Sequence, residues 1–170
     1  MALLVVGIGD CKVSQDPSDV LVTHGLGSCI AVLLYDPRAR VAGLLHYMLP
    51  ESSLDPEGAG KRPCLFADTG IPLLLQSACQ LGAVKSRMGI VAAGGAQMLD
   101  PTGSFNVGRR NYLAMLKIFE RDGIRIYKEA IGGTCSRTVS IDVAGGRVQL
   151  RTPGHAKLDL FVAEGSLCCR

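Results

Sequence analysis

The sequence predicts a mixed α/β domain with two helices on one side of its sheets. Strand-like runs outnumber helical ones, several are joined by turns too short for a crossover helix, and 170 residues suit one core. Hydrophobic residues make up 48% and charged residues 19%, a balance that buries a core and excludes a disordered chain.

Taken in order, Leu3 to Val6 reads as a first strand, apolar too briefly and without the basic leader of a signal peptide. Val20 to Thr23 reads as a second. Ile30 to Tyr35 and Val41 to Leu49 are apolar runs on either side of Asp36-Pro-Arg-Ala-Arg40, and they pair as a hairpin around a loop at Pro37 to Arg40. Pro50 to Pro63, rich in Ser, Gly, Pro and charge, reads as a long mobile loop. A helix follows: Asp68 or Thr69 caps it, Pro72 sits in its first turn, and Ile71, Leu74, Leu75, Ala78 and Leu81 form a stripe that ends at Gly82. Met88 to Ala93 is strand-like. The second helix runs from about Asn106 to Asp122, with Tyr112, Met115, Leu116 and Phe119 on one face and Gly123 as its stop. Ile124 to Ala130, Thr138 to Val143 and Arg147 to Arg151 complete the strands, the last two flanking the hairpin signal Ala144-Gly145-Gly146. There is no internal repeat and no linker.

Several function classes drop out. The net charge of +3 is spread along the chain, the basic pairs Lys61-Arg62 and Arg109-Arg110 are short, and aromatics at 5% are too few for base stacking. No run is long enough to span a membrane. The seven cysteines, at 11, 29, 64, 79, 135, 168 and 169, are odd in number and lack a C-x-x-C spacing. Free thiols in a reducing cytoplasm fit that pattern better than a disulfide framework or a structural zinc site. Gly7-Ile-Gly9 and Gly25-Leu-Gly27 follow strands, but Lys12 and Ile30 stand where a dinucleotide fingerprint needs its third glycine. P-loop, H-E-x-x-H and G-x-S-x-G motifs do not occur.

The chemistry gathers at Thr23-His-Gly-Leu-Gly-Ser-Cys29, a glycine-loosened loop that runs into the apolar stretch from Ile30. His46, one of three histidines, follows seventeen residues later. In the hairpin proposed above, Asp36 opposes Val41 and Ala31 opposes His46. Side chains alternate faces, so Cys29, Ala31, His46 and Met48 share one face, with Cys29 and His46 diagonal neighbours roughly 7–8 Å apart. A loop one residue longer or shorter puts them on opposite faces. Cysteine is also a common buried hydrophobe and a strand histidine a common core residue. Glycines and shared face favour instead a nucleophile and its base, with the imidazole raising the thiolate fraction. Thr23 stands where it can orient the far ring nitrogen of His46. His24 has undetermined parity, and His155 reads as a surface residue. Gly94-Gly95-Ala96-Gln97-Met98 is either a tight turn or a backbone approach to a ligand.

With these residues assembled, Thr23 to Pro37 followed by His46-Tyr-Met-Leu-Pro50 resembles the CheD family of chemoreceptor glutamine deamidases. Gly94 to Met98, Val107-Gly108-Arg109-Arg110-Asn111 and Ile131-Gly132-Gly133 extend the resemblance, which covers roughly 22 to 151. It implies a deamidase domain over 1–151, with 152–170 a tail outside it, and a layered α/β/β fold similar to the deamidating domain of the cytotoxic necrotising factor toxins. The family's catalytic cysteine, histidine and threonine fall on Cys29, His46 and Thr23. Arg109 stands where the family usually carries an acidic residue, and Ser136 where it usually carries glycine.

The reaction so implied is hydrolysis of glutamine side-chain amides on methyl-accepting chemotaxis receptors, through a Cys29 thioester and without metal or cofactor. Backbone around Gly27, Ser28 and Cys29 would bind the reacting group. The resemblance further implies docking of the CheC phosphatase. Two rival readings use the same residues: a non-catalytic chemotaxis module that docks on receptor or CheC, and a cysteine peptidase or esterase.

Overall fold

The computed structural model describes residues 2–97 and 106–161; Met98, Cys168 and Cys169 lie outside them. The elements are β1 (Ala2–Val5), β2 (Asp10–Ser14), β3 (Asp19–Leu26), β4 (Ile30–Asp36), β5 (Val41–Tyr47), α1 (Pro56–Lys61), α2 (Ala67–Gln80), β6 (Gly89–Gly94), α3 (Val107–Arg121), β7 (Ile126–Ile131), β8 (Arg137–Asp142), β9 (Val148–Arg151) and β10 (Leu158–Phe161). They form two five-stranded sheets, β1-β3-β8-β9-β10 and β2-β5-β4-β6-β7. Pairing is antiparallel except at β1/β3 and β6/β7. Of the two parallel pairs, β6/β7 encloses α3, the crossover helix that such a connection needs.

Alternation along β4 explains the layering. Ile30, Val32 and Leu34 pack on α2 and α3, whereas Ala31, Leu33 and Tyr35 pack on Leu21, Leu26, Val139 and Ile141 of the other sheet. A strand buried on both faces reads as a continuous apolar run, which is what the sequence shows. Each fully buried leucine there contributes about 1.5–3 kcal/mol relative to exposure. The expected mixed fold, with its helices on one side, is thus the observed one, in the order helix, sheet, sheet. The hairpin register is also as expected, Asp36 opposite Val41 and Ala31 opposite His46. The β8/β9 hairpin turns at Ala144-Gly145-Gly146, where Asp142 accepts from the Gly145 amide at 2.7 Å.

Four local expectations need correction. The strands β2 and β10 were not foreseen: β2 is a short, charged edge strand, and β10 lies in the tail, paired with β9. The segment from Pro50 to Pro63 is not an unstructured loop but a 3-10 turn at Ser52–Leu54, α1, and a second 3-10 turn from Pro63. Asp55 caps α1 by accepting from the Gly58 amide at 3.0 Å, and Arg62 donates to the Ile8 carbonyl at 2.9 Å. Asp68 does not cap α2. Its carboxylate instead accepts from the Ser52 amide and hydroxyl at 2.8 and 2.7 Å, tying that segment to the helix layer. On α3 the buried residues are Gly108, Asn111, Ala114, Met115, Ile118 and Phe119, so the inward face is rotated from the one expected, leaving Tyr112 and Leu116 only half-buried. No helix among the described residues is long and apolar enough to cross a membrane.

Candidate active site

Residues 27–29 carry the chain from β3 in one sheet to β4 in the other. All three of their carbonyls are held by hydrogen bonds. Gly27 accepts from the Ala96 amide and Cys29 from the Gly95 amide, both at 2.8 Å, and Ser28 accepts from Asn111 Nδ2 at 3.1 Å. In a trans peptide the N–H points opposite to the carbonyl, so fixing the carbonyls of residues 27 and 28 turns the Ser28 and Cys29 amides the other way. The Cys29 backbone N–H acts to lower the pKa of its own thiol, against the larger effect of burial. Gly94 makes the approach possible: its φ is +119°, and a Cβ there would collide with the Cys29 carbonyl oxygen.

His46 sits on β5 between Ala31 of β4 and Asp10 of β2. It is 1% exposed and directed between the sheets, where Thr23 Oγ1 of β3 lies 2.7 Å from its Nδ1. The same hydroxyl donates to the Val6 carbonyl at 2.6 Å. A hydroxyl has one proton and a carbonyl can only accept, so Nδ1 must be the donor to Thr23. Nε2 is then an unprotonated acceptor, and it is buried without a hydrogen-bond partner.

Burial lowers the His46 pKa to about 4, so the ring is neutral at pH 7. Burial also pushes the Cys29 thiol above its ordinary value. With both groups shifted by burial, the thiol and the imidazole are neutral at pH 7, in contrast to the expected rise in thiolate fraction. Cys29 is 8% exposed and packs in the same inter-sheet layer that receives His46 and Thr23. Tyr47 turns to the opposite face, donating its hydroxyl to the Asn111 carbonyl at 2.8 Å. Burial holds that phenol well above its ordinary pKa.

The structure therefore brings Thr23, Cys29 and His46 into one layer, with Gly27 and Ser28 forming the loop before the sulfur. His24 is exposed, its Nδ1 3.4 Å from Thr138 Oγ1, and His155 is exposed as well. Neither joins the site. Gly94 and Gly95 make a turn against Cys29, and Gly95 also backs an open cleft of about 260 Å³ bordered by Gln97, Arg109 and Tyr112. Arg109 is exposed and Ser136 half-buried. Among the described residues no group of three or more His, Cys, Asp or Glu side chains could hold a metal ion. Sequence reasoning gave Asn111 no role of its own, although a polar residue in a buried helical stripe was a visible signal. The partner of Thr23, a backbone carbonyl at Val6, leaves no signal in residue types.

Comparison with known proteins places the chain. A family model described as "CheD chemotactic sensory transduction" matches residues 48–152. A protein of Solibacter usitatus (strain Ellin6076) named "Probable chemoreceptor glutamine deamidase CheD" is 48% identical over 157 residues, covering 92% of this chain and 93% of its own. "Probable chemoreceptor glutamine deamidase CheD 1" of Syntrophus aciditrophicus (strain SB) is 46% identical over 154 residues, covering 91% and 96%. "Probable chemoreceptor glutamine deamidase CheD 2" of Anaeromyxobacter dehalogenans (strain 2CP-C) is 47% identical over 152 residues, covering 89% and 96%. Its residue pattern, its layered fold and these near full-length identities agree: the chain belongs to the CheD family.

Proposed function

We propose that this protein is a chemoreceptor glutamine deamidase, converting glutamine side chains of methyl-accepting chemotaxis receptors to glutamate with release of ammonia. The observation that carries the reading is the buried, unpartnered Nε2 of His46, held in its acceptor tautomer by Thr23 in the layer that also contains the Cys29 thiol. The relatives' names supply the substrate class.

In this mechanism Nε2 takes the thiol proton as Cys29 Sγ attacks the carboxamide carbon. The carbonyl oxygen becomes an oxyanion facing the Ser28 and Cys29 amides, with Gly27 leaving room for the side chain of the substrate. Collapse of the tetrahedral intermediate breaks the C–N bond, and imidazolium His46 protonates the departing ammonia. Water, deprotonated by the again neutral Nε2, then attacks the thioester, and Cys29 leaves as the thiol when His46 returns the proton. One water is consumed, and one carboxylate and one ammonium ion are formed.

The reaction unit is residues 1–151, working in the cytoplasm on the receptors' cytoplasmic helices, and the CheC phosphatase is a docking partner; these three points rest on the family resemblance. The test is incubation with cytoplasmic fragments of methyl-accepting receptors, reading glutamine-to-glutamate conversion by peptide mass spectrometry beside ammonia release. Intact glutamines and no ammonia would sink the proposal.

A further inference from the structure

Asn111, at the fifth residue of α3, has a fully buried side chain. Its Nδ2 donates to the Ser28 carbonyl at 3.1 Å and to the Met48 carbonyl at 2.8 Å. Its own backbone carbonyl accepts from Tyr47 at 2.8 Å. One helix residue thus holds the residue before Cys29 and the two residues after His46. The helix comes close enough because Gly108, one turn earlier, rests on Gly95, where a Cβ would lie 2.5 Å from the Gly95 carbonyl oxygen.

The cost of this arrangement points to its purpose. Both acceptors are carbonyls, so the amide nitrogen must face them, and Oδ1 is left buried with no hydrogen-bond partner. Unsatisfied buried acceptors are destabilising. Turning the amide over would set Oδ1 against two carbonyl oxygens and lose both bonds. An amide that leaves its own oxygen orphaned is explained by what its nitrogen holds together. Moreover, Ser28 C=O and Cys29 N–H belong to one peptide plane, so the bond from Asn111 also aims the Cys29 amide.

We infer that Asn111 is a positioning residue for deamidation, clamping the Cys29 loop to the strand that bears His46 and turning the Cys29 N–H toward the reacting oxygen. The inference rests on the proposed roles of Cys29 and His46. It predicts a loss in kcat with KM little changed, because the substrate-facing surface is intact while the reacting groups are misaligned.

The experiment measures ammonia release from receptor cytoplasmic fragments by wild type, Asn111→Ala and Asn111→Asp, with folding followed by circular dichroism. Folded Asn111→Ala should lose about 10²-fold in kcat, the scale of a small misplacement. A carboxyl at 111 can donate only when protonated, and burial at this fully enclosed position raises its pKa. Asn111→Asp should therefore gain kcat relative to Asn111→Ala as pH is lowered from about 8 toward about 5, while Asn111→Ala should follow the wild-type profile. A folded Asn111→Ala with wild-type kcat overturns the inference, as does a loss that tracks only the folded fraction. Should neither variant fold, the wild type decides: alkylation of Cys29 should shift the Asn111 side-chain amide signal in NMR, and an unmoved signal overturns the clamp. A wild type that releases no ammonia sinks the deamidase reading and this inference with it; an active wild type beside an equally active Asn111→Ala sinks this inference alone.

Discussion

Thr23 Oγ1 and His46 Nδ1 lie 2.7 Å apart, and the hydroxyl's only proton is committed to the carbonyl of Val6. The ring nitrogen is therefore the donor, and Thr23 selects the tautomer as well as the orientation of the imidazole. The two residues come from different sheets, so the tautomer of His46 depends on the packing of one sheet on the other.

Thr23→Val keeps the shape of the side chain while removing the acceptor for Nδ1–H. Its kcat should fall about 10–100-fold, the scale on which metal-bound histidines lose activity when their orienting partner is removed, with KM little changed. Thr23→Ser should retain most activity, since the hydroxyl survives. Equal kcat in wild type and Thr23→Val would remove Thr23 from the mechanism.

The pH dependence of the rate reports how far burial lowers His46. With His46 lowered to about 4 and Cys29 raised, the reactive thiol-imidazole form spans the whole neutral range. The acid limb of kcat/KM should therefore fall near pH 4 and not near the ordinary histidine value of about 6.5. A limb centred above pH 6 in initial-rate measurements would mean that His46 titrates near its ordinary value and that burial does not hold its ring neutral.

Stability should follow the same group. Between pH 6.5 and about 4 the unfolded state binds a proton at His46 that the folded state refuses, so ΔG of unfolding falls as pH falls through that window. The full effect is about 3 kcal/mol at most. His46→Gln should flatten the dependence of the thermal midpoint on pH in this range. An unchanged slope would assign the acid sensitivity in this window to groups other than His46. Asp36 is not among them: burial acts to raise its pKa, but bonds from Arg87 and three backbone amides lower it from 3.8 to about 2, so its contribution is lost mainly below pH 4.

What was legible in the sequence follows the range of the forces involved. The β4/β5 hairpin and its register were readable because alternation of side chains and one turn fix both. The segment from Pro50 to Pro63 was misread because its composition speaks only for local preference, whereas its order comes from Asp68 and Ile8, distant in sequence. Cys29 and His46 could be placed on one face in advance. Their neutral resting state could not, since burial in the inter-sheet layer decides it, and no count of residues gives the depth of that layer.

The final prediction separates enzyme from docking module through Cys29→Ser. The change keeps the size of the site nearly constant and leaves the bonds to the carbonyls of residues 27–29 in place, while replacing the thiol with a far weaker nucleophile. Binding to receptor fragments, measured by calorimetry, should persist while ammonia release is lost. The enzyme reading requires these two properties to come apart at this residue. If Cys29→Ser deamidated receptor glutamines at the wild-type rate, the nucleophile would lie elsewhere. If the wild type bound the fragments and left every glutamine intact, the buried thiol would be a packing residue and the surface above it a docking site.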